Sequence, residues 1–332
     1  MFLFRRVGAL ARWHCRPNTP TRQHANTPTN MGKINTIGMV GLGKMGFPLA
    51  QNLKRNGFEV FAFDVSEENR HLAEGHGVKT CASLAGLVET LPEKKVLWLM
   101  VPAGAVTESV VLELKMLLPA GAIVIDGGNS NFKDSQRRYR ELKVKGIGFL
   151  DCGTSGGTSG AFGGACTMVG GDAEVFQQCE HVFKAISVEN GYLYTGAGGS
   201  GHFVKMVHNG IEYGMMQAIA EGFEVLEKSP FDLDLEEVAR VWNHGSVIRS
   251  WLIELTQSAF SKDADLSGLR GEVRSSGEGK WALETALDLG VPTPVIALSL
   301  IMRYRSMQDD TFAGKVLAAL RNEFGGHEVT KA

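Results

Sequence analysis

Gly41-Leu42-Gly43-Lys44-Met45-Gly46 is the stretch that decides the fold of this chain. It follows an apolar run at 36–40 and opens an amphipathic pattern, which is the setting in which a G-x-G-x-x-G sequence binds a dinucleotide. The first glycine permits a tight turn, the second lets the backbone approach a pyrophosphate, and the third lets the helix pack on the strand. The N–H groups at the helix N-terminus can donate to the phosphates. We therefore predict a Rossmann-type sheet whose cofactor loop is formed by all six residues.

Short β-branched runs alternate with amphipathic stretches through the first 200 residues. The predicted strands are 36–40, 60–64, 96–101, 122–126, 148–151 and 166–169, and the clearest helical patterns are 44–56, 106–118 and 134–145. This alternation is typical of a parallel, doubly wound sheet.

After about residue 200 the strand patterns stop. Helical patterns follow at 202–228, 234–243, 251–259, 280–289, 295–307 and 312–324. The predicted fold class is therefore α/β followed by all-α. We expect a Rossmann domain at 34–200 and a helical domain for substrate binding and oligomerisation at 201–332.

Asp64 ends the second predicted strand, the position at which an acidic residue receives the adenosine ribose of NAD. Its carboxylate would repel the 2′-phosphate of NADP, and the four residues that follow include no arginine. The nearest arginine, Arg70, is expected a turn into the next helix, for which Ser66 is the natural N-cap. NAD is therefore the predicted cofactor.

Two further residues stand at the ends of predicted strands. Val101 ends the third strand, and Asn129 follows the fourth within Asp126-Gly127-Gly128-Asn129-Ser130. Ligands of open α/β sheets bind at the carboxyl ends of the strands. We predict that both residues contact the cofactor and that Asn129 also contacts the substrate. From the motif alone, a simple turn role for Asn129 stays equally open.

The helical pattern at 203–214 carries four chemically distinct polar residues on one face. The residues that fall within an arc of roughly 100° are Lys205, His208, Asn209 and Glu212, with Tyr213 beside them. The opposite arc is apolar and holds two glycines that would let a neighbouring element approach closely. A solvated face is the default interpretation of such a stripe. An amine and a carboxylate, however, are the proton carriers that a dehydrogenation followed by protonation at carbon needs.

In this stretch the chain resembles the 6-phosphogluconate dehydrogenase family, whose signature has a lysine, a histidine–asparagine pair and a glutamate–tyrosine pair at this spacing. Three more segments agree: 151–157 resembles the family's serine–glycine–glycine substrate loop, 277–281 its glycine–lysine–tryptophan segment, and 321–327 its carboxyl tail. The likeness extends from residue 37 to residue 327. Because most of the second helical repeat of the long form is missing, the chain resembles the short, NAD-preferring form.

The resemblance implies oxidative decarboxylation of 6-phosphogluconate to ribulose 5-phosphate and carbon dioxide, a reaction of the pentose phosphate pathway type. Lys205 would take the proton of the 3-hydroxyl, and Glu212 would protonate the carbon that becomes C1 of ribulose 5-phosphate. The residues implied to orient the sugar acid are Asn129, Ser155, Gly156, Gly157, His208 and Asn209. No metal is implied, and no cluster of histidines and aspartates in the sequence suggests one.

The same resemblance implies how the phosphate and carboxylate of the substrate are bound. The implied residues are Tyr213, Lys280, Arg303, Arg321 and His327. Arginine suits bidentate contacts to phosphate. The last two residues stand on the tail, which would reach the site of the neighbouring subunit, so a homodimer or homotetramer is expected.

Composition excludes several classes of function. The formal net charge of −2 argues against non-specific binding of nucleic acid, which needs a basic field. No apolar run is long enough to span a bilayer, so no membrane association is expected. The five cysteines include no CxxC pair, which favours free thiols in a reducing cytoplasm.

Residues 1–30 differ from the rest, with five arginines and no acidic residue. A transit peptide has this composition. Two other interpretations stay open and are favoured. Either the segment is a disordered extension, or the true start of the protein is Met31. We leave 1–33 out of the fold and expect a cytoplasmic protein, with import into an organelle if the segment is a transit peptide.

Two other functions stay open. Another β-hydroxyacid dehydrogenase, such as a 3-hydroxyisobutyrate dehydrogenase, would share the glycine loops and a lysine and asparagine like Lys205 and Asn209. It should lack the Glu212-Tyr213 pair and the cations for a phosphate. A catalytically silent dinucleotide-binding module is expected to lose Lys205 or Glu212, and both are present.

Overall fold

The computed structural model describes residues 34–331, and the predicted basic extension at 1–33 lies outside the described residues. Helices and strands alternate in the first part of the described chain, and helices alone follow in the second. The predicted fold class is confirmed.

Eight strands form one sheet in the order β3-β2-β1-β4-β5-β6-β7-β8. Their bounds are β1 Thr36–Val40, β2 Glu59–Phe63, β3 Lys79–Thr80, β4 Val96–Leu99, β5 Ile123–Asp126, β6 Gly148–Ser155, β7 Ala165–Gly171 and β8 Ser187–Gly196. The strand order reverses direction between β1 and β4. In doubly wound sheets the crevice at such a reversal is where a dinucleotide binds.

Seven helices connect these strands. They are α1 Gly46–Arg55, α2 Glu67–Gly75, α3 Leu84–Thr90, α4 Ala105–Leu117, α5 Phe132–Lys143, α6 Gly157–Gly163 and α7 Ala173–Ile186. Helix α1 begins two residues later than predicted. The residues before it form the turn that carries the glycine motif.

The sheet departs from the predicted parallel arrangement at one edge. Strands β1 to β6 are parallel, but β7 runs antiparallel to β6, and β8 is parallel to β7. Only residues 156–164 connect β6 to β7. A parallel crossover needs about a dozen residues or more, so this connection can only return the chain in the opposite direction.

Apolar side chains cover both faces of the sheet, as expected of central parallel strands. Alternate residues of β4 show this directly: Trp98 packs into the cluster on one face, and Leu97 and Leu99 pack into the cluster on the other. All three are fully buried. The strands therefore give a rigid platform whose carboxyl ends present loops to a ligand.

Six helices make up the second part of the described chain. They are α8 Ser200–Glu227, α9 Leu235–Asn243, α10 Trp251–Phe260, α11 Glu278–Asp288, α12 Pro294–Ser306 and α13 Phe312–Gly325. Each lies within two residues of its predicted bounds. Helix α8 connects the two parts, because it packs on β6 and β7 at its start and on α11 and α12 further along. Among residues 34–331, no helix is both long and apolar enough to cross a membrane.

Candidate active site

The glycine loop is shaped for a close approach by a ligand. Gly41 has φ +95°, and a β-carbon there would overlap the Met100 carbonyl. A β-carbon on Gly46 would overlap the carbonyl of Gly41, so α1 can pack on β1 only because this side chain is absent. A β-carbon on Gly43 would meet nothing within 4 Å, which leaves the loop open on its outer side. The loop fits the pyrophosphate of a dinucleotide.

Asp64 is tied to this loop by its own carboxylate. Leu42 N donates to Oδ2 at 2.6 Å and Ser66 N donates to Oδ1 at 2.7 Å. Ser66 caps α2 as predicted, accepting from Asn69 N. Arg70 lies nearer than the sequence suggested, because its guanidinium donates to the Asp64 carbonyl at 2.6 Å. An acidic and a basic group thus both border the expected adenosine end.

A buried ion-pair network holds the loop that carries Asn129. Asp126 accepts hydrogen bonds from Gly128 N and from Ser130 Oγ, at 3.2 and 2.8 Å. Arg138 on α5 lies 3.3 Å from the same carboxylate and is only 1% exposed. Asn129 itself is exposed to the cavity. This arrangement favours a ligand contact for Asn129 over a role confined to its turn.

The start of α8 is fixed by a buried carboxylate from the sheet. Asp151 on β6 accepts from Gly199 N at 2.6 Å and from His202 N at 2.8 Å. These N–H groups have no partner inside the helix, and an anion at this end also interacts favourably with the helix dipole. A β-carbon on Gly201 would overlap backbone atoms of β6 and β7, so α8 starts in direct contact with the sheet.

One cavity of about 1070 Å³ lies between the loops of the sheet and the helical part. The predicted site residues that line it are Met45, Val101, Asn129, Ser155, Gly156, Gly157, Lys205, His208, Asn209 and Glu212. Two predicted regions, the cofactor loops and the polar face of α8, therefore meet in a single space. Helix α10, which sequence reasoning did not implicate, adds Trp251 and Leu255 to the wall.

Hydrogen bonds link the polar side chains of the cavity. Ser155 Oγ lies 3.3 Å from His208 Nε2, and His208 Nδ1 lies 3.0 Å from Asn209 Oδ1. The same Nδ1 is 3.9 Å from the Glu212 carboxylate. His208 thus connects the end of β6 to the middle of α8. Its ring orients Ser155, Asn209 and Glu212, which are three possible partners of a polyol substrate.

Lys205 is the buried cation of the site, with 7% of its surface exposed. Burial lowers the pKa of its amine below the ordinary 10.5, and the negative fields of Glu212 and Glu278 oppose that decrease. A lysine whose neutral form is made accessible in this way can act as a base, and its ammonium form can then stabilise negative charge.

The other predicted residues lie outside the cavity lining. At the cofactor end these are Gly41, Leu42, Gly43, Lys44, Gly46 and Asp64. Tyr213 is buried, with its hydroxyl 3.4 Å from Ser275 Oγ and from Ser276 Oγ. The Arg303 guanidinium stacks on the Tyr213 ring at 3.4 Å from its centre.

The remaining three predicted cations are at the surface of this chain. Lys280 pairs with Glu284 on the exposed side of α11. Arg321 lies on α13, and His327 follows that helix; both are exposed, and α13 has no buried residue. The geometry of one chain therefore does not bring Lys280, Arg321 or His327 to the cavity. Their predicted role in binding phosphate stays a prediction.

The apolar side of α8 divides into two parts. Gly210 and Gly214 do allow close approach, as predicted, since β-carbons there would lie 3.1 Å from Ala282 and 3.0 Å from Val295. Val207 and Ile211, in contrast, are not packed under a neighbouring element. They are exposed and form part of the cavity wall.

Within the described part of the chain, no group of three or more histidine, cysteine, aspartate and glutamate side chains is arranged to hold a metal ion. Of the cysteines, Cys152 on β6 and Cys179 on α7 are buried, and Cys166 on β7 is exposed. The polar side chains that line the cavity carry amine, carboxylate, imidazole, amide and hydroxyl groups.

Two family models together match nearly all of the described residues. The NAD binding domain of 6-phosphogluconate dehydrogenase matches residues 36–196, and the 6-phosphogluconate dehydrogenase C-terminal domain matches residues 201–329. The chain belongs to the 6-phosphogluconate dehydrogenase family. It is thus an oxidoreductase of this family and carries an NAD(P)-binding domain.

Individual relatives agree with the family models. YqeC of Bacillus subtilis (strain 168), which is assigned as a 6-phosphogluconate dehydrogenase only provisionally, is 55% identical over 295 residues, or 89% of this chain and 99% of YqeC. The NAD(+)-dependent, decarboxylating 6-phosphogluconate dehydrogenase of Haloferax volcanii is 43% identical over 297 residues, or 89% of this chain and 98% of that protein.

Solved structures extend the comparison to the fold. The 6-phosphogluconate dehydrogenase of Plasmodium falciparum, described in its apo form and with NADP+ or 6-phosphogluconate, matches with a TM-score of 0.76 and 28% identity over 90% of this chain and 66% of that chain. The 3-hydroxyisobutyrate dehydrogenase of Mycobacterium tuberculosis matches with a TM-score of 0.68 and 23% identity over 87% of this chain and 99% of that chain. At that identity the second match shows a shared fold alone.

Proposed function

We propose that the chain catalyses the oxidative decarboxylation of 6-phosphogluconate to ribulose 5-phosphate and carbon dioxide, with NAD as the oxidant. The observation that carries this proposal is a buried lysine with a lowered pKa, Lys205, in the same cavity as a carboxylate, Glu212. A base that becomes a cation and a separate acid are what this reaction requires.

Lys205 is the base in the first step. Its neutral amine takes the proton of the 3-hydroxyl as hydride leaves C3, and NAD, when bound, would supply the oxidant for that hydride. The ammonium so formed then lies against the new 3-keto oxygen and stabilises the negative charge that develops there as C1 leaves as carbon dioxide. Burial strengthens this interaction, because the effective dielectric constant is lower inside the protein.

Glu212 is the acid in the last step and delivers a proton to the carbon that has lost its carboxylate. Glu212 lies on α8 two turns after Lys205, so the two groups can reach different parts of one substrate. His208, Asn209 and Ser155 hold the substrate hydroxyls through the hydrogen-bonded chain that already links them.

Residues of the glycine loop and Asp64 would hold the cofactor. The open space at Gly43 suits the pyrophosphate, and the Asp64 carboxylate suits the ribose hydroxyls of NAD. The carboxylate has one lone pair of each oxygen left after its bonds to Leu42 N and Ser66 N, so it can accept from both hydroxyls.

The phosphate of the substrate is assigned to Tyr213, Arg303 and Lys280 of the same chain and to Arg321 and His327 of a second copy. Support comes from the exposed helix α13, which has no buried residue in the single chain. In this proposal the working enzyme is at least a dimer.

A second candidate is a dehydrogenase for a smaller β-hydroxy acid. One observation favours it: Lys205 and His208 are the only side chains lining the cavity, among the described residues, that can carry a positive charge. A substrate without a phosphate would need no further cationic side chain in the cavity.

A substrate panel separates the two candidates. NAD reduction is measured with 6-phosphogluconate, gluconate and 3-hydroxyisobutyrate at equal concentrations. We expect a kcat/KM for 6-phosphogluconate at least about a hundredfold above that for gluconate, since two charge-assisted contacts contribute about 3 kcal/mol or more. Higher activity on 3-hydroxyisobutyrate would establish the second candidate instead.

A further inference from the structure

Helix α11 packs on α8 beside the face that carries the proposed catalytic residues, with Ala282 against Gly210. Gly279 lies so close to Tyr213 that a β-carbon at position 279 would overlap the ring. Asn209 and Lys205 are buried one and two turns before Tyr213 on the same stripe of α8. The first turn of α11 therefore stands at the end of the buried polar stripe that begins at Lys205.

Glu278, the first residue of α11, is a buried carboxylate that the mechanism so far does not use. It is 3% exposed, and its Oε2 has no hydrogen-bond partner among the described residues. A carboxylate removed from water without compensation is costly, so such a group calls for an explanation. The unpaired N–H groups at the start of α11 interact favourably with a carboxylate at this position, but they do not explain why it is buried.

The ammonium form of Lys205, in turn, needs a nearby negative charge. Its side chain is buried, and Glu212 and Glu278 are the two carboxylates whose fields act on it, one from its own helix and one from α11. In the proposed mechanism Glu212 holds the proton that it later delivers to carbon. That leaves Glu278 as the carboxylate assigned to face the ammonium at this step.

We propose that Glu278 is a positioning residue whose buried negative charge compensates the ammonium that Lys205 becomes after it accepts the substrate proton. This inference rests on the proposed function. The proton moves from the substrate hydroxyl to Nζ of Lys205, and Glu278 itself neither gains nor loses one. The other titratable or charged groups near this region are Cys166 from β7 and Glu212 with its neighbour His208 from α8, and Tyr213 with Arg303 stacked on it beside Gly279. They are the same in every variant below.

The test measures the protonation of Lys205 directly, without substrate. The rate at which acetic anhydride labels Lys205, read by mass spectrometry, is followed against pH in the parent and in Glu278→Gln. Only the neutral amine reacts, and removing a nearby negative charge lowers the pKa of a lysine. We expect the midpoint in Glu278→Gln to fall by at least about half a pH unit, which is roughly threefold faster labelling below the midpoint.

Two further variants separate charge from packing. Glu278→Asp keeps the charge and should keep the midpoint near that of the parent. Glu221→Gln removes an exposed charge further along α8 and should leave the midpoint unchanged. An unchanged midpoint in folded Glu278→Gln, or an equal fall in Glu278→Asp, overturns the proposal.

If Glu278→Gln does not fold, the double variant with Lys205→Met provides the same test. Where two charges compensate each other, removing both restores stability that removing one has lost. A double variant that melts at least as high as Lys205→Met supports the proposal, and one as unstable as Glu278→Gln contradicts it. A parent that fails to oxidise 6-phosphogluconate would refute the proposed function, while the labelling midpoints would still decide whether Glu278 and Lys205 are coupled.

Discussion

Lys205 packs its side chain directly on Gly153, near the end of β6. A β-carbon on Gly153 would overlap Lys205 Cβ and lie 3.0 Å from Lys205 Cγ. The bare backbone at this one residue of the sheet thus sets how deeply the proposed base is buried. Because Asp151, two residues earlier on the same strand, caps α8, the strand fixes both the start of the helix and its first catalytic side chain.

Gly153→Ala should push Lys205 and the start of α8 away from β6, because the added β-carbon would overlap Lys205 Cβ and the Gly201 carbonyl. We expect kcat to fall at least about tenfold, since displacements near 1 Å at a reacting group can cost about a hundredfold. The matched control is Gly163→Ala on the exposed end of α6, where a β-carbon meets nothing within 4 Å. Steady-state kinetics on both variants check this, and equal kcat values in Gly153→Ala and Gly163→Ala would contradict it.

Lys205→Met removes the base and later the cation but keeps an unbranched side chain of good helix propensity. We expect kcat to fall at least about a hundredfold. NAD binding, measured by calorimetry, should change little, because the glycine loop and Asp64 do not contact Lys205. Substantial turnover in Lys205→Met would mean that another group takes the proton.

The same variant should be more stable than the parent at neutral pH. Burial lowers the pKa of Lys205 below 10.5, so the unfolded state binds this proton more tightly than the folded state does. The group therefore destabilises the fold below its ordinary pKa, and the cost disappears as the pH rises through that value. We expect the melting temperature of Lys205→Met to exceed that of the parent at pH 7 and the difference to shrink by about pH 10.5. A difference that does not vary with pH would show that packing alone causes it.

Much of the fold could be predicted from the sequence, because the strands of the first part are short, β-branched and fully buried. The sequence does not predict strands β3 and β8. Strand β3 has two residues, and β8 is half exposed and polar, so neither carries an apolar pattern. The antiparallel direction of β7 could not be predicted, because it depends on the short connection from β6 through the seven-residue helix α6.

The candidate site was predictable where local spacing determines it. The polar face of α8 follows from the helical repeat, and it does line the cavity with Ser155 and Asn129. Residues that act through long-range packing could not be found in this way. Trp251 reaches the cavity from a helix with no motif, and the burial of Glu278 depends on how α11 crosses α8. The Gly-Glu-Gly sequence around Glu278 is the one signal for a close contact there, which Gly279 makes with the Tyr213 ring.

Cofactor choice should depend on Asp64. Asp64→Asn with Val65→Arg removes a repulsive charge and adds a cation at a residue that is 89% exposed, close to Arg70. We expect the ratio of kcat/KM for NADP to that for NAD to rise at least about tenfold, the effect of one charge-assisted contact. Asp64→Asn alone is the control for the added arginine. A parent enzyme that already favours NADP would contradict our interpretation of this loop.

The carboxyl tail should complete the site of a neighbouring subunit. Arg321→Ala alone should raise KM for 6-phosphogluconate at least about tenfold and leave KM for NAD nearly unchanged, since Arg321 is remote from the glycine loop. A mixture of Arg321→Ala and Lys205→Met subunits should regain activity, because half of the sites in mixed dimers carry neither defect. Native mass spectrometry confirms that subunits exchange. No recovery in an exchanged mixture would mean that the tail serves its own chain or binds no substrate.

The most direct test of the central claim is the stoichiometry of one turnover with 6-phosphogluconate labelled with ¹³C at C1. Our account predicts one labelled carbon dioxide and one ribulose 5-phosphate for each NADH formed by the parent, and none of the three from Lys205→Met beyond about a hundredth of that rate. NADH formation without release of labelled carbon dioxide would contradict it, because the enzyme would then oxidise its substrate without the decarboxylation assigned to Lys205 and Glu212.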